Sequence, residues 1–139
     1  MPTTPDAATS AIEQRLRAAF PTTGILFPNV PFTPVAGTPF LRCHVVWGAS
    51  MQSTMRQTQR NLNIGVLFVD VSVPQGEGGG RQRRLGEQVR AVFNRKEFAS
   101  VRCDAATGLV AHREETWNNA AWWIATIKVS LTIEELVPV

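Results

Sequence analysis

The sequence predicts an α+β fold: a mostly antiparallel β-sheet with two helices packed on one face. Residues 61–73 (NLNIGVLFVDVSV) are dense in Val, Ile and Phe, which favours a strand. Residues 81–94 (RQRRLGEQVRAVFN) repeat apolar side chains at the spacing of one helical stripe. Residues 123–134 alternate apolar and polar side chains, as in an antiparallel strand with one wet face. Blocks of helix and strand therefore follow one another along the chain, which is the α+β pattern.

Length and composition bound the class of protein. Of 139 residues, 44% are hydrophobic and 18% are charged, values typical of a globular domain. We expect a single domain over residues 1–139, with residues 1–5 as a flexible tail. No run approaches the ~20 apolar residues that span a bilayer, and the polar start does not resemble a secretion signal. The sequence predicts a soluble protein of the cytoplasm that binds no membrane.

The first helix is expected over residues 6–20. Ser10 and Glu13 match a capping box, although Thr4 followed by Pro5 would start the helix earlier. Pro21 ends the helix, because proline disfavours helical geometry in the residue before it.

The connections are assigned from their turn chemistry. Residues 48–60 (GASMQSTMRQTQR) are polar and aperiodic, which predicts a long loop between two antiparallel strands. Residues 75–80 (QGEGGG) predict a flexible loop, because successive glycines have little backbone preference. Asn118 and Asn119 tolerate positive φ and predict a hairpin turn before the last strand.

The two cysteines give no sign of a metal site or a disulfide framework. Cys43 and Cys103 form no CxxC pair and have no neighbouring histidine pair. Both fall in predicted strands, where buried free thiols are expected. No metal and no cofactor is predicted.

Residues that could carry catalysis are scattered. His44 and His112 are far apart in the sequence, each on the polar face of a predicted strand. The glutamate pairs at 114–115 and 134–135 point to opposite faces of their strands, so neither pair converges on a substrate. Asp70 interrupts a strand near its end and is expected to cap it or pair with an arginine. No catalytic residue is predicted, and the chain is expected not to be an enzyme.

The strongest local charge signal follows the glycine loop. Arg81, Arg83 and Arg84 open the second helix, and further basic residues continue the cluster at its end. The loop is not a phosphate-binding loop, because Arg81 and Gln82 stand where that motif requires Lys and Ser or Thr. The arginines are either the solvated face of an amphipathic helix, a protein contact surface, or the lining of a charged ring lumen. A basic nucleic-acid-binding module is a less favoured interpretation, since no nucleic-acid motif accompanies the charge.

Three tryptophans crowd the last hairpin. Alternation places Trp123 on the dry face of the final strand and Trp122 on the opposite face. An exposed tryptophan there suggests a second buried surface, either a subunit interface or core packing under the first helix.

The order of these segments resembles the tail terminator-like proteins of long-tailed bacteriophages and prophages, of the lambda minor tail protein U type. The resemblance rests on a helix ending in Phe-Pro, a proline-rich extended segment, the run IGVLFVDVSVPQGEG, a helix of the form RxLGEQVRAVF, and a long alternating last strand. It covers about residues 6–135, and its most specific part is residues 64–93.

The resemblance implies a non-enzymatic assembly protein in the virion tail, assembled in the host cytoplasm. Such proteins form a ring, commonly a hexamer, on the head-proximal end of the tail tube. The ring stops tube polymerisation and prepares the head–tail junction. Its implied partners are other copies of the chain, the tail tube protein and a head-completion or connector protein, and DNA is only passing cargo.

Such rings would place contacts that order on assembly in the loops 48–60 and 75–80. The residues assigned on this basis to oligomer or partner contacts are Met51, Met55, Arg56, Arg60, Glu77, Arg81, Arg83, Arg84 and Trp122. The principal alternative is a head–tail connector (neck completion) protein, which the sequence does not separate from a terminator.

Overall fold

The part of the chain that the structure describes contains two helices and seven strands. The computed structural model describes residues 3–52 and 58–138, with side chains for residues 3–48 and 61–135. In chain order the elements are α1 (Pro5–Ala19), β1 (Gly24–Leu26), β2 (Phe40–Gln52), β3 (Thr58–Pro74), α2 (Gly80–Phe93), β4 (Glu97–Phe98), β5 (Val101–Ala106), β6 (Val110–Trp117) and β7 (Ala120–Pro138).

Helix α1 starts at the earlier of the two predicted positions. The Thr4 hydroxyl accepts a hydrogen bond from the Ala7 amide at 3.2 Å, and Pro5 occupies the first helical position. The capping box at Ser10 therefore lies inside the helix. The buried face of α1 contains Ala8, Ile12 and Leu16.

One mixed but mostly antiparallel sheet forms the centre of the fold, as predicted. Its strand order is β1-β2-β3-β7-β5-β4, and β6 pairs with β7 beside β5. Among the described strands, only β1 runs parallel to its neighbour, β2. Strand β7 is long enough to pair with β3 along one side and with both β5 and β6 along the other.

The predicted loop over residues 48–60 is mostly strand, so that prediction was wrong. Strand β2 continues to Gln52 and β3 already begins at Thr58, with Met51 opposite Leu62. Residues 53–57 lie outside the described residues. The polar sequence lacks the alternation that identifies a half-buried strand, but pairing with the long β3 and β7 supplies backbone hydrogen bonds that override local propensity.

The β6–β7 hairpin closes as the sequence predicts. Asn118 and Asn119 have φ of 54° and 59°, the left-handed geometry of a two-residue turn. Across the turn, Trp117 lies opposite Ala120.

Helix α2 covers the same sheet face as α1. The predicted stripe is confirmed: Val89 and Phe93 are buried, and Leu85 and Val92 pack against the same core. Gln82 ties the helix to the sheet, because its buried amide donates to the carbonyls of Val71 and Trp123 at 3.0 and 3.2 Å. Arg15 joins the two helices through a 2.9 Å hydrogen bond to the Val92 carbonyl.

The main core lies between the helices and the inner face of the sheet. It includes both cysteines, which are free thiols as predicted. Burial raises the pKa of Cys43 to about 12, with the nearby Glu13 carboxylate adding to the effect. Burial likewise raises the pKa of Cys103 to about 11, although Arg15 opposes the rise. Both thiols are therefore protonated at neutral pH.

A second, smaller core lies on the opposite face of the sheet and corrects the prediction for the last hairpin. Trp122 is only 1% exposed and packs with Phe40 and Ile124. Its ring meets that of Phe40 edge-on at 4.9 Å, and Phe32 and Trp117 cover the cluster. The residues before β2 fold over this end of the sheet, so both faces of β7 are buried here.

None of the helices in the described part of the chain is long and apolar enough to cross a membrane.

Candidate functional site

The N-terminal end of α2 carries the basic surface that the sequence predicts. Gly79 is the N-cap residue, no side chain caps the helix, and its first turn contains no acidic residue. The first turn contains arginines instead, although a helix N-terminus is itself the positive end of the helix dipole. Such an end attracts carboxylates and repels the guanidinium groups that the sequence places there.

One of the three arginines is neutralised within the chain. The Arg81 guanidinium forms an ion pair with Glu77, in which Nε donates to Oε1 at 3.0 Å. This hydrogen bond raises the pKa of Arg81. A second nitrogen donates to the Gly37 carbonyl at 3.4 Å. The structure thus joins Glu77 and Arg81, two residues predicted to make partner contacts, across the glycine loop, where Gly76 and Gly78 have positive φ.

The other two arginines are exposed. Within residues 3–52 and 58–138, Arg83 and Arg84 make no ion pair. Arg84 also lines a cleft of about 290 Å³ between α2 and the segments that precede β1 and β2; its other lining residues are Thr22, Thr23, Thr38, Pro39, Arg81, Leu85 and Gln88. Hydroxyl, amide and guanidinium donors therefore surround this space.

The rest of the predicted basic cluster does not join this surface. Arg90 Nε donates to the Ala106 carbonyl at 3.0 Å and so serves to hold α2 against β5. Arg95 and Lys96 are exposed but follow the C-terminal end of the helix. About 21 Å of helix separates the two ends of α2, since each residue rises 1.5 Å. The basic side chains thus form two separate groups.

The remaining predicted contact residues belong to the segment 51–60 and to the last strand. Met51 lies in β2 and Arg60 in β3, where Arg60 pairs with Leu136, but their side chains are outside the described part. Met55 and Arg56 lie outside the described residues altogether. Trp122 is buried inside the chain, so its predicted exposure was wrong, and we do not retain it as a contact residue.

The sequence only partly predicted a charge network on the sheet face opposite the helices. Asp70, which is 4% exposed, accepts a hydrogen bond from the Thr126 hydroxyl at 2.6 Å and one from Arg113 at 3.0 Å. Arg42 lies 3.8 Å from the same carboxylate and 3.4 Å from Glu115. The predicted pairing of Asp70 with an arginine is confirmed. Its signal in the sequence is a charged residue that interrupts an apolar strand face, but its partners come from three other strands.

The histidines lie in separate aromatic contacts. His44 stacks on Phe68 at 4.8 Å, and His112 stacks on Trp123 at 5.6 Å. Within the described ranges, no group of three or more His, Cys, Asp or Glu side chains could hold a metal ion.

Comparison with known proteins decides the family. A family model described as "Phage tail terminator protein" matches residues 7–131 of the 139. The chain belongs to the phage tail terminator family. This confirms the predicted resemblance at the level of the family, whereas the lambda minor tail protein U type stays a prediction. A search of curated proteins gave no match.

A solved structure supports the fold of this terminator-family chain. It superposes with a TM-score of 0.60 at 21% identity, covering 94% of this chain and 96% of that protein. At this identity the likeness bears on fold alone. Family membership gives the chain a structural role in assembly of the phage tail.

Proposed function

We propose that this chain forms a ring, a hexamer of identical copies, that caps the head-proximal end of the tail tube. There it stops tube polymerisation and prepares the junction with the head. The observation that carries this proposal is the family match over residues 7–131. One side of the ring would meet the tail tube protein and the other a head-completion protein, with DNA passing through the lumen.

Arg83 and Arg84 are the residues we assign to the contact between neighbouring copies. Both are exposed and without an ionic partner in the described part of the chain, next to an uncapped helix end. A carboxylate from the adjacent copy would pair with the guanidinium groups and also complement the helix dipole. We prefer this role to a place in the lumen, because a strongly basic lumen would retard passing DNA.

The test is a joint charge reversal, Arg83→Glu with Arg84→Glu. We expect the ring to be lost while the monomer keeps its stability or gains about 0.3–1 kcal/mol per substitution, because glutamate suits a helix N-terminus. Light scattering over a concentration series, with electron micrographs, measures the assembly, and urea unfolding measures stability. The matched control reverses two other exposed arginines, Arg95 and Arg102, which lie away from this helix end.

The outcomes separate the alternatives. An intact ring in the Arg83 and Arg84 variant would refute the assignment of these residues. Purified tail tubes should capture the wild-type chain. Capture by the portal protein of the phage head, and not by tail tubes, would favour a connector. A stable dimer that binds DNA tightly, with a steep salt dependence, would refute the ring itself.

A further inference from the structure

Strand β2 has a long free edge. On one side it pairs with β3 throughout most of its length, but on the other side β1 covers only Phe40, Leu41 and Arg42. No described strand pairs with that side beyond Arg42. Every second residue of an edge strand turns its N–H and C=O groups outwards, so these groups along residues 43–48 are available to another strand.

This edge lacks the features that usually prevent pairing with another chain. Residues 43–48 (CHVVWG) contain no proline and no Lys, Arg, Asp or Glu. Val46 is 51% exposed on the sheet face opposite the helices, and Val45 and Trp47, on the face that the helices cover, are only partly buried. A strand added here would therefore cover apolar surface on both faces as well as pair backbone groups.

The other free edges include those of β1, β4 and β6. Strands β1 and β4 have only three and two residues. Strand β6 has eight residues, and its register with β7 shifts between Val110 and Arg113. Of its three charges at positions 113–115, Arg113 pairs with Asp70 and Glu115 with Arg42 within the chain. On the side of β7 away from β2, β6 is the longest described strand with a free edge.

We infer that β2 of one copy pairs through residues 43–48 with the free edge of β6 in the next copy, so that the sheet continues from subunit to subunit. Three features of the fold support β6 of a second copy as the occupant. The first is direction: β2, β3, β7 and β6 are successively antiparallel, so β6 of the next copy would meet β2 in antiparallel orientation.

The second feature is the shared face. Val46 lies opposite Val66 on the sheet face away from the helices, and Val110 lies opposite Thr126 on that same face. Val46 and Val110, at 51% and 37% exposed, are the exposed large apolar side chains of these two edges. A continuous sheet keeps them on one face. With Val110 opposite Val46, residues 110–113 at the start of β6 lie along residues 43–46 of β2, and the pairing ends at Arg42, where β1 begins.

The third feature is symmetry. Two different edges make a head-to-tail contact, which can close into a ring, whereas β2 against β2 would close at two copies. The inference rests on the proposed ring, and it names the surfaces that would join neighbouring copies.

Cross-linking tests it directly. Subunits carrying Val46→Cys are mixed with subunits carrying Val110→Cys and treated with a short bis-maleimide at pH 7. The buried native thiols Cys43 and Cys103 should not react, which the wild-type chain controls. We expect a covalent dimer in the mixture and none with either variant alone. A dimer from Val46→Cys alone would show two-fold β2 pairing and overturn the inference.

Lysine substitutions provide a second measurement. Val46→Lys and Val110→Lys should each raise the concentration needed for assembly at least about tenfold, because each places a charge in an apolar contact. Val30→Lys is the matched control, since Val30 is 50% exposed but lies in a loop. Hydrogen exchange should also slow at residues 43–48 on assembly. Equal assembly by all three variants would overturn the inference.

The same experiments separate this inference from the proposed function. Rings that form, alone or on purified tail tubes, without the Val46–Val110 cross-link would refute the edge pairing and leave the ring intact. If the wild-type chain assembles neither alone nor on tail tubes, the proposed ring is refuted, and the edge pairing with it.

Discussion

Replacing Asp70 by alanine removes the acceptor at the centre of the charge network. The carboxylate is nearly buried and accepts hydrogen bonds from Thr126 at 2.6 Å and from Arg113 at 3.0 Å. Without it, the Thr126 hydroxyl loses its acceptor inside the sheet, and Arg42 and Arg113 lose their shared counter-charge.

The expected loss of unfolding free energy is about 2–4 kcal/mol. A buried hydrogen bond to a charged group contributes about 1.5–3 kcal/mol, which we assign to the Thr126 contact. The Arg113 side chain is 37% exposed, so solvent screening reduces that ion pair to about 0.5–1 kcal/mol. For a chain of this length, the melting temperature should fall by roughly 7–14 °C.

Urea unfolding of three variants measures the effect. Asp70→Asn keeps an acceptor for Thr126 without the charge and should lose about half as much as Asp70→Ala. Glu114→Ala removes an exposed carboxylate from β6 and should change stability by less than about 0.5 kcal/mol. If Asp70→Ala costs no more than Glu114→Ala, the network does not stabilise the sheet and the reasoning is wrong.

Two further changes probe the packing of the inner sheet face. Gly65→Ala should lower the unfolding free energy, measured in urea, by about 1–3 kcal/mol, because the added Cβ would lie 2.6 Å from the Trp47 ring. Gly108→Ala is the control, because a Cβ there would meet open space. Equal stabilities of the two variants would contradict the expected clash. The unfolding free energy should also fall by about 1.4 kcal/mol per pH unit for each thiol above about pH 9, because unfolded thiols ionise there while folded Cys43 and Cys103 stay protonated towards pH 11–12. The chain has no tyrosine to add to this slope, and Cys43→Ala should reduce it; an unchanged slope would show that the thiols are not its source.

Elements with strong local chemistry were predictable. The stripe that ends at Phe93 buries as a helix face, and the two asparagines at 118–119 turn the last hairpin with positive φ. In each case the deciding interactions lie within about one helical turn or one hairpin of the residue. The same holds for Thr4 and Pro5, one of two starts that the pattern allowed for α1.

Residues that depend on distant partners were not predictable. Polar residues 48–52 form a strand because β3 pairs with them, and no local pattern signals this. Trp122 was predicted to be exposed because alternation gives the face but not what covers it; Phe32, from a segment far earlier in the chain, helps to cover that face. Arg81 was grouped with Arg83 and Arg84, yet of the three only Arg81 forms an ion pair in the part of the chain that the structure describes.

By itself the sequence determined the α+β class, the helical stripe of α2 and the buried thiols, since these follow from local periodicity and residue type. The order of its segments also carried the resemblance to tail terminators. Only the tertiary structure decided which basic side chains are left without partners and which strand edge stays open. Both depend on which segments the register brings together: β1 covers three residues of β2 and no more, and that length is set by long-range packing.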